Sequence, residues 1–162
     1  MGDDRAVQLV GPDDGETVHR AQGHDRFVIP GELTGGGFAL LEHVLVPKAL
    51  GGPIHRHTRE DEYSYVLEGQ LGAILGDEEV VVDAGSLIFK PRRQWHTFWN
   101  AGDGPVRVLE IISPGGFERV FRELAALGDA APDAVVDLAS RYGVEIDFEA
   151  TMPLMQRHGV TF

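Results

Sequence analysis

Between residues 38 and 112 the chain is a succession of short runs rich in β-formers, each closed by a cluster of turn residues. The runs are Phe38–Val46, Ile54–His57, Glu62–Leu67, Leu71–Leu75, Val80–Asp83, Leu87–Phe89, Gln94–Trp99 and Val106–Ile112. LGGP, TRED, EGQ, GDEE, DAGS, KPRR and NAGDG stand between them. Strands this short and this evenly spaced build a sandwich or a closed barrel. The flanks differ. Residues 1–35 are a polar arm with short strand candidates near Val7–Val10 and Arg26–Ile29, and residues 36–113 form the barrel. Residues 114–162 change to helical spacing: Phe117, Val120, Phe121, Leu124 and Leu127 share one helix face up to Gly128. Pro132 opens a second helix that Gly143 stops, a short strand follows at Val144–Phe148, and Thr151–His158 is a last short helix. This C-terminal extension is expected to cover the barrel or a second subunit.

Charge narrows the partners. With 14 Lys and Arg against 26 Asp and Glu the formal net charge is −12, which repels phosphate backbones and anionic membranes. No apolar run approaches the roughly 20 residues of a spanning helix. The acidic start MGDDRAVQLV lacks the positive charge of a signal peptide. The chain has no cysteine, which removes disulfides, thiolate ligands and a cysteine nucleophile. A cytoplasmic protein with no nucleic-acid or membrane partner is expected.

The chemistry concentrates in His55-Arg56-His57, followed by TRED and then Glu62. Residues two apart in a strand share a face, so the two imidazoles project together and Arg56 projects away. A hairpin at TRED can bring Glu62 beside them. His96, in the aromatic run Gln94–Trp99, is a third candidate from far along the chain. Imidazole nitrogens with one carboxylate oxygen suit a divalent transition metal. The other reading of His-x-His is an exposed strand edge, and of His96 a packed core histidine. Trp95 and Trp99 fall opposite His96, and Tyr63, Tyr65 and Leu67 fall opposite Glu62. Outward aromatics call for a cover, either the terminal segments or a homodimer partner.

In spacing, these residues resemble the two motifs of the cupin superfamily. His55, His57, Glu62 and Gly69 follow the first motif, and Gly85, Pro91, His96 and Asn100 the second, with 15 residues between Gly69 and Gly85. Two positions depart: Ala49 stands where the first motif leads with glycine, and Arg93 where the second has a turn glycine. A left-handed backbone at Arg93 would cost about 1 kcal/mol. The resemblance implies an all-β, double-stranded β-helix (jelly-roll) barrel with a C-terminal helical extension. It implies one divalent metal ion, Fe, Mn, Ni, Co or Zn, held by His55, His57, Glu62 and His96. The tail from SPGGFERVFREL onward is similar to that of small bacterial quercetinase-like cupins. That likeness implies a dioxygenase for a small aromatic, enolisable substrate, with Glu62 as both ligand and base. An oxygen-independent isomerase or lyase and a non-catalytic binding module are the alternatives. Pocket walls are expected from residues in register with the ligands, namely Ser64, Val66, Gln94 and Phe98. Phe38 and Leu40 join them on a strand whose pleat the sequence does not fix.

Overall fold

The computed structural model describes residues 8–128 and 131–162. Eleven strands and three α-helices follow in order among these residues. They are β1 (Thr17–Arg20), β2 (Gly23–Ile29), β3 (Ala39–Leu45), β4 (Ile54–His57), β5 (Asp61–Glu68), β6 (Gln70–Leu75), β7 (Glu78–Asp83), β8 (Leu87–Lys90), β9 (His96–Asn100) and β10 (Val106–Ser113). After them come α1 (Arg119–Leu127), α2 (Pro132–Arg141), β11 (Val144–Asp147) and α3 (Phe148–His158). Two antiparallel sheets form the jelly roll that the motif resemblance implies: β1-β2-β3-β10-β5-β8 faces β11-β4-β9-β6-β7. No helix among the described residues is long and apolar enough to cross a membrane.

Alternation decides which side chains enter the barrel. Along β10, Val106, Val108, Glu110 and Ile112 are buried while the residues between them are only partly so. One core cluster fills the barrel with Leu45, Val66, Leu71, Ala73, Ile88, Val106 and Val108. A second joins Phe27, Ala39, Leu41 and Ile112 to Phe117, Val120, Leu138, Ala139 and Val144 of the C-terminal segment. A third sets Trp99 under Leu154 and Val160, so the helical tail covers the outward Trp99. Trp99 also explains a glycine: a Cβ on Gly72 would fall 2.1 Å from its ring.

Several boundaries move for local reasons. In the expected strand at Val7–Val10, Val7 lies outside the described residues and 8–10 have no strand geometry. The last helix begins at Phe148, before Thr151, because the Asp147 carboxylate accepts from the Ala150 N–H at 2.8 Å and caps it. β9 begins at His96 because the turn through Arg93 runs on past Gln94. Arg93 takes the left-handed backbone expected of it, with φ 68°.

Candidate metal centre

β4 and β9 lie side by side in the five-stranded sheet with His55 opposite His96. His55, His57 and His96 therefore cluster on that sheet's inner face, with His55 and His96 ring centroids 4.4 Å apart. Glu62 arrives differently from the expected hairpin. Between His57 and Asp61 the chain crosses to the other sheet, so β4 and β5 do not pair and Glu62 faces the imidazoles across the barrel. One ligand atom from each of His55, His57, Glu62 and His96 lies within 4.8 Å of the others.

The outer nitrogens settle the ring orientations. His55 Nδ1 is 2.7 Å from the Pro53 carbonyl oxygen and His96 Nδ1 is 3.0 Å from that of Gln94. A carbonyl only accepts, so both Nδ1 atoms carry a proton and both rings turn Nε2 inward, that of His96 to 3.2 Å from Glu62 Oε2. His57 Nδ1 lies 3.3 Å from Glu60 Oε2, and its buried Nε2 stands 3.3 Å from Glu62 Oε1. Outer acceptors that fix ring orientation and leave Nε2 inward are the usual support of a metal-binding imidazole. A divalent transition ion fits this donor set.

Before an ion binds, charge in the cluster is uneven. Burial alone would lower His57, but Glu62 and Glu60 hold it up at about 9. Burial, then the charges of His96 and His57, push His55 well below the ordinary imidazole range. Glu62 is buried, yet Lys90 and then His57 hold its carboxyl well below the usual carboxylate range. Lys90 Nζ stands 2.9 Å from both Glu62 Oε2 and Glu110 Oε1, and Ser64 Oγ donates to Glu110 Oε2 at 2.6 Å. Sequence reasoning missed Lys90 and Glu110. The signal for Glu110 was an acid at the core-facing parity of an otherwise apolar strand.

A cavity with largely apolar walls opens onto His55 and Glu62. Phe98 is among the residues that line it, and the other residues expected at pocket walls lie elsewhere. Ser64 supports Glu110, and Val66 is packed in the barrel core. Phe38 is exposed just before β3, and Leu40 falls on the opposite pleat of β3 from the buried Ala39, Leu41 and His43. Gln94 is exposed in the turn before β9. Instead the walls come from Phe117, Val120, Phe121 and Leu124 around α1, with Val135, Ala139, Val144 and Ile146 beyond. The apolar helix face of the C-terminal extension thus roofs the cavity. Arg20 and His43, from β1 and β3, complete one side.

Residues 41–112 match the family model described as the Cupin domain, and they lie within the two-sheet barrel. The chain is 31% identical over 96 residues to the tetracenomycin polyketide synthase protein TcmJ of Streptomyces glaucescens, across 59% of this chain. The match takes in 64% of that relative, so the chain spans less than two thirds of its length. The polyketide cyclase RemF from Streptomyces resistomycificus superposes with a TM-score of 0.57 at 27% identity, over 67% of this chain and 80% of RemF. KdgF from Halomonas sp. superposes with a TM-score of 0.61 at 18% identity, over 69% and 99% of the two chains, a likeness of fold.

Proposed function

We propose that this cupin is a metal-dependent enzyme that enolises a small, planar aromatic ketone or polyketide-like substrate without consuming oxygen. The observation that carries this is a cavity walled by Phe98, Phe117 and Phe121 that ends on His55 and Glu62. Apolar walls with few polar groups at one end take flat aromatic molecules and orient them by the polar end. The likeness to one polyketide synthase protein and one polyketide cyclase favours carbon-acid chemistry over oxygenation. His55, His57, Glu62 and His96 would hold the metal ion, which supplies Lewis-acid polarisation of a substrate oxygen. The protein's own contribution is to exclude water with the aromatic walls and to fix Glu62 between Lys90 and the imidazoles.

The test is deuterium exchange at C1 of 2-tetralone in D2O under nitrogen, followed by proton NMR. Zinc- or cobalt-loaded protein should accelerate exchange, and His57→Ala should abolish the acceleration. Oxygen uptake with quercetin, run in parallel, is the competing outcome: uptake without exchange would favour the dioxygenase expected from the sequence tail. The homodimer is part of the same proposal. Tyr65, Leu67, Leu87 and Phe89 expose apolar surface on β5 and its neighbour β8, which supports a second copy covering that face. A monomer mass by light scattering at micromolar concentration would contradict it.

A further inference from the structure

The cavity also holds polar groups outside the four candidate ligands, and one of them is an imidazole remote from them in sequence. His43 on β3 is 2% exposed and lines the cavity, with its ring between Phe98 and Phe121. Directly across from it on β2 is Asp25, which is fully buried. His43 Nδ1 lies 2.6 Å from Asp25 Oδ1. Arg20 holds the same carboxylate from its other side, Nε to Oδ2 at 2.7 Å and Nη2 to Oδ1 at 3.0 Å. Burial would raise the Asp25 pKa, but His43 and then Arg20 hold it far below the usual carboxylate range. The carboxylate is therefore ionised and can only accept, so the Nδ1 that faces it carries the hydrogen of this bond and the ring turns Nε2 away from Asp25. Burying an ion triad is costly, and apolar residues of similar volume would pack such a position at least as well. Here the Asp25 contact fixes the orientation of one imidazole at the wall of a cavity that also holds His55 and Glu62.

We infer that His43 is a catalytic base that takes a proton from the bound substrate through Nε2, with Asp25 as its positioning residue. The inference rests on the proposed enolisation. In the step, the C–H electron pair of the carbon beside the carbonyl becomes the enolate C=C bond. The negative charge moves to the carbonyl oxygen, and the proton ends on His43 Nε2. Return of a solvent-derived proton reverses the step and gives isotope exchange. The imidazole and carboxylate play the orienting roles of a base and its hydrogen-bonded partner.

The test has two arms on the metal-loaded full chain. In the first, 15N-edited NMR of the histidine rings is recorded with and without 2-naphthol, a stable planar analogue of the 2-tetralone enol. His43 should appear as the Nδ1–H tautomer, and its Nε2 resonance should move on addition. Asp25→Asn should weaken that tautomer preference. In the second, His43→Gln should slow 2-tetralone exchange by about a hundredfold or more, with metal content unchanged and the rate measured well below the variant's melting temperature. A His43 ring that ignores 2-naphthol, or a His43→Gln rate within a few-fold of wild type, would overturn the inference. If wild-type protein gives no exchange yet the His43 resonance moves, the enolisation reading fails and the contact between His43 and the ligand stands. The NMR arm needs no variant, so it decides even if His43→Gln does not fold.

Discussion

The two sheets contribute different chemistry to the centre. The five-stranded sheet brings His55, His57 and His96, and each outer nitrogen meets an acceptor within three residues in sequence. The six-stranded sheet brings Glu62, Lys90, Glu110, Asp25 and His43, whose partners stand across strands. Ser64 and Glu110 are 46 residues apart, and Asp25 and His43 are 18. One half of the site is thus built locally, with two backbone carbonyls and the Glu60 carboxylate at its outer edge. The other half consists of buried charge contacts that exist only once β10 and β8 have paired with β5, and β2 with β3. Local support tolerates change in the rest of the barrel, whereas a charge network depends on every member being present.

Breaking the charged half should give the largest effect. Lys90→Met leaves Glu62 and Glu110 buried without their shared cation. It should cost about 3–5 kcal/mol in metal-free protein by urea denaturation. Adding Glu110→Gln should recover part of that loss, and full recovery by Glu110→Gln alone would mean Glu62 is not compensated by Lys90. On the histidine half, His96→Ala should weaken zinc binding more than about a hundredfold, beyond what loss of an outer partner costs, in a chelator competition assay. The same variant should leave metal-free stability less affected than Lys90→Met does.

A smaller effect sharpens the comparison through pH. His57 must be neutral to bind an ion, and without one it stays protonated up to about 9. Zinc affinity should therefore rise by about tenfold per pH unit from neutrality until His57 has titrated, with one proton released per ion. The sign for the metal-free fold is the opposite. Because the folded pKa is raised, this stabilisation is full below the ordinary imidazole pKa of about 6.5 and fades as pH rises through about 9. An affinity that is flat with pH would show that His57 is already neutral. The smallest effect is at Arg93, whose φ of 68° favours glycine. Arg93→Gly should raise stability by up to about 1 kcal/mol, because its ordered contact is the backbone N–H to the His57 carbonyl at 2.7 Å, which glycine keeps.

The same division explains what could be read from the chain. The eight barrel runs and the grouping of His55, His57, Glu62 and His96 were legible because turn residues and period-two alternation are local signals. The route of Glu62 to the centre was not, since TRED suits either a hairpin or a crossing between sheets. The cavity walls were half legible. The apolar face Phe117–Leu124 stood out as helical, but which surface it roofs depends on how the tail packs. Leu40 failed as a wall residue because one step of pleat on β3 sends it away and brings His43 in, and Phe38 lies exposed just before that strand. The Asp25–His43 pair is formed by strand register between β2 and β3, which no short-range pattern encodes.

The visible absorption of cobalt(II)-loaded protein during a 2-naphthol titration tests the central claim most directly. Cobalt should bind in one-to-one ratio, and its d–d bands should shift saturably as the aromatic fills the cavity beside His55 and Glu62. His57→Ala should show no such bands. Bands that persist in His57→Ala, or that 2-naphthol leaves unchanged, would contradict a metal centre at the end of an aromatic-binding cavity.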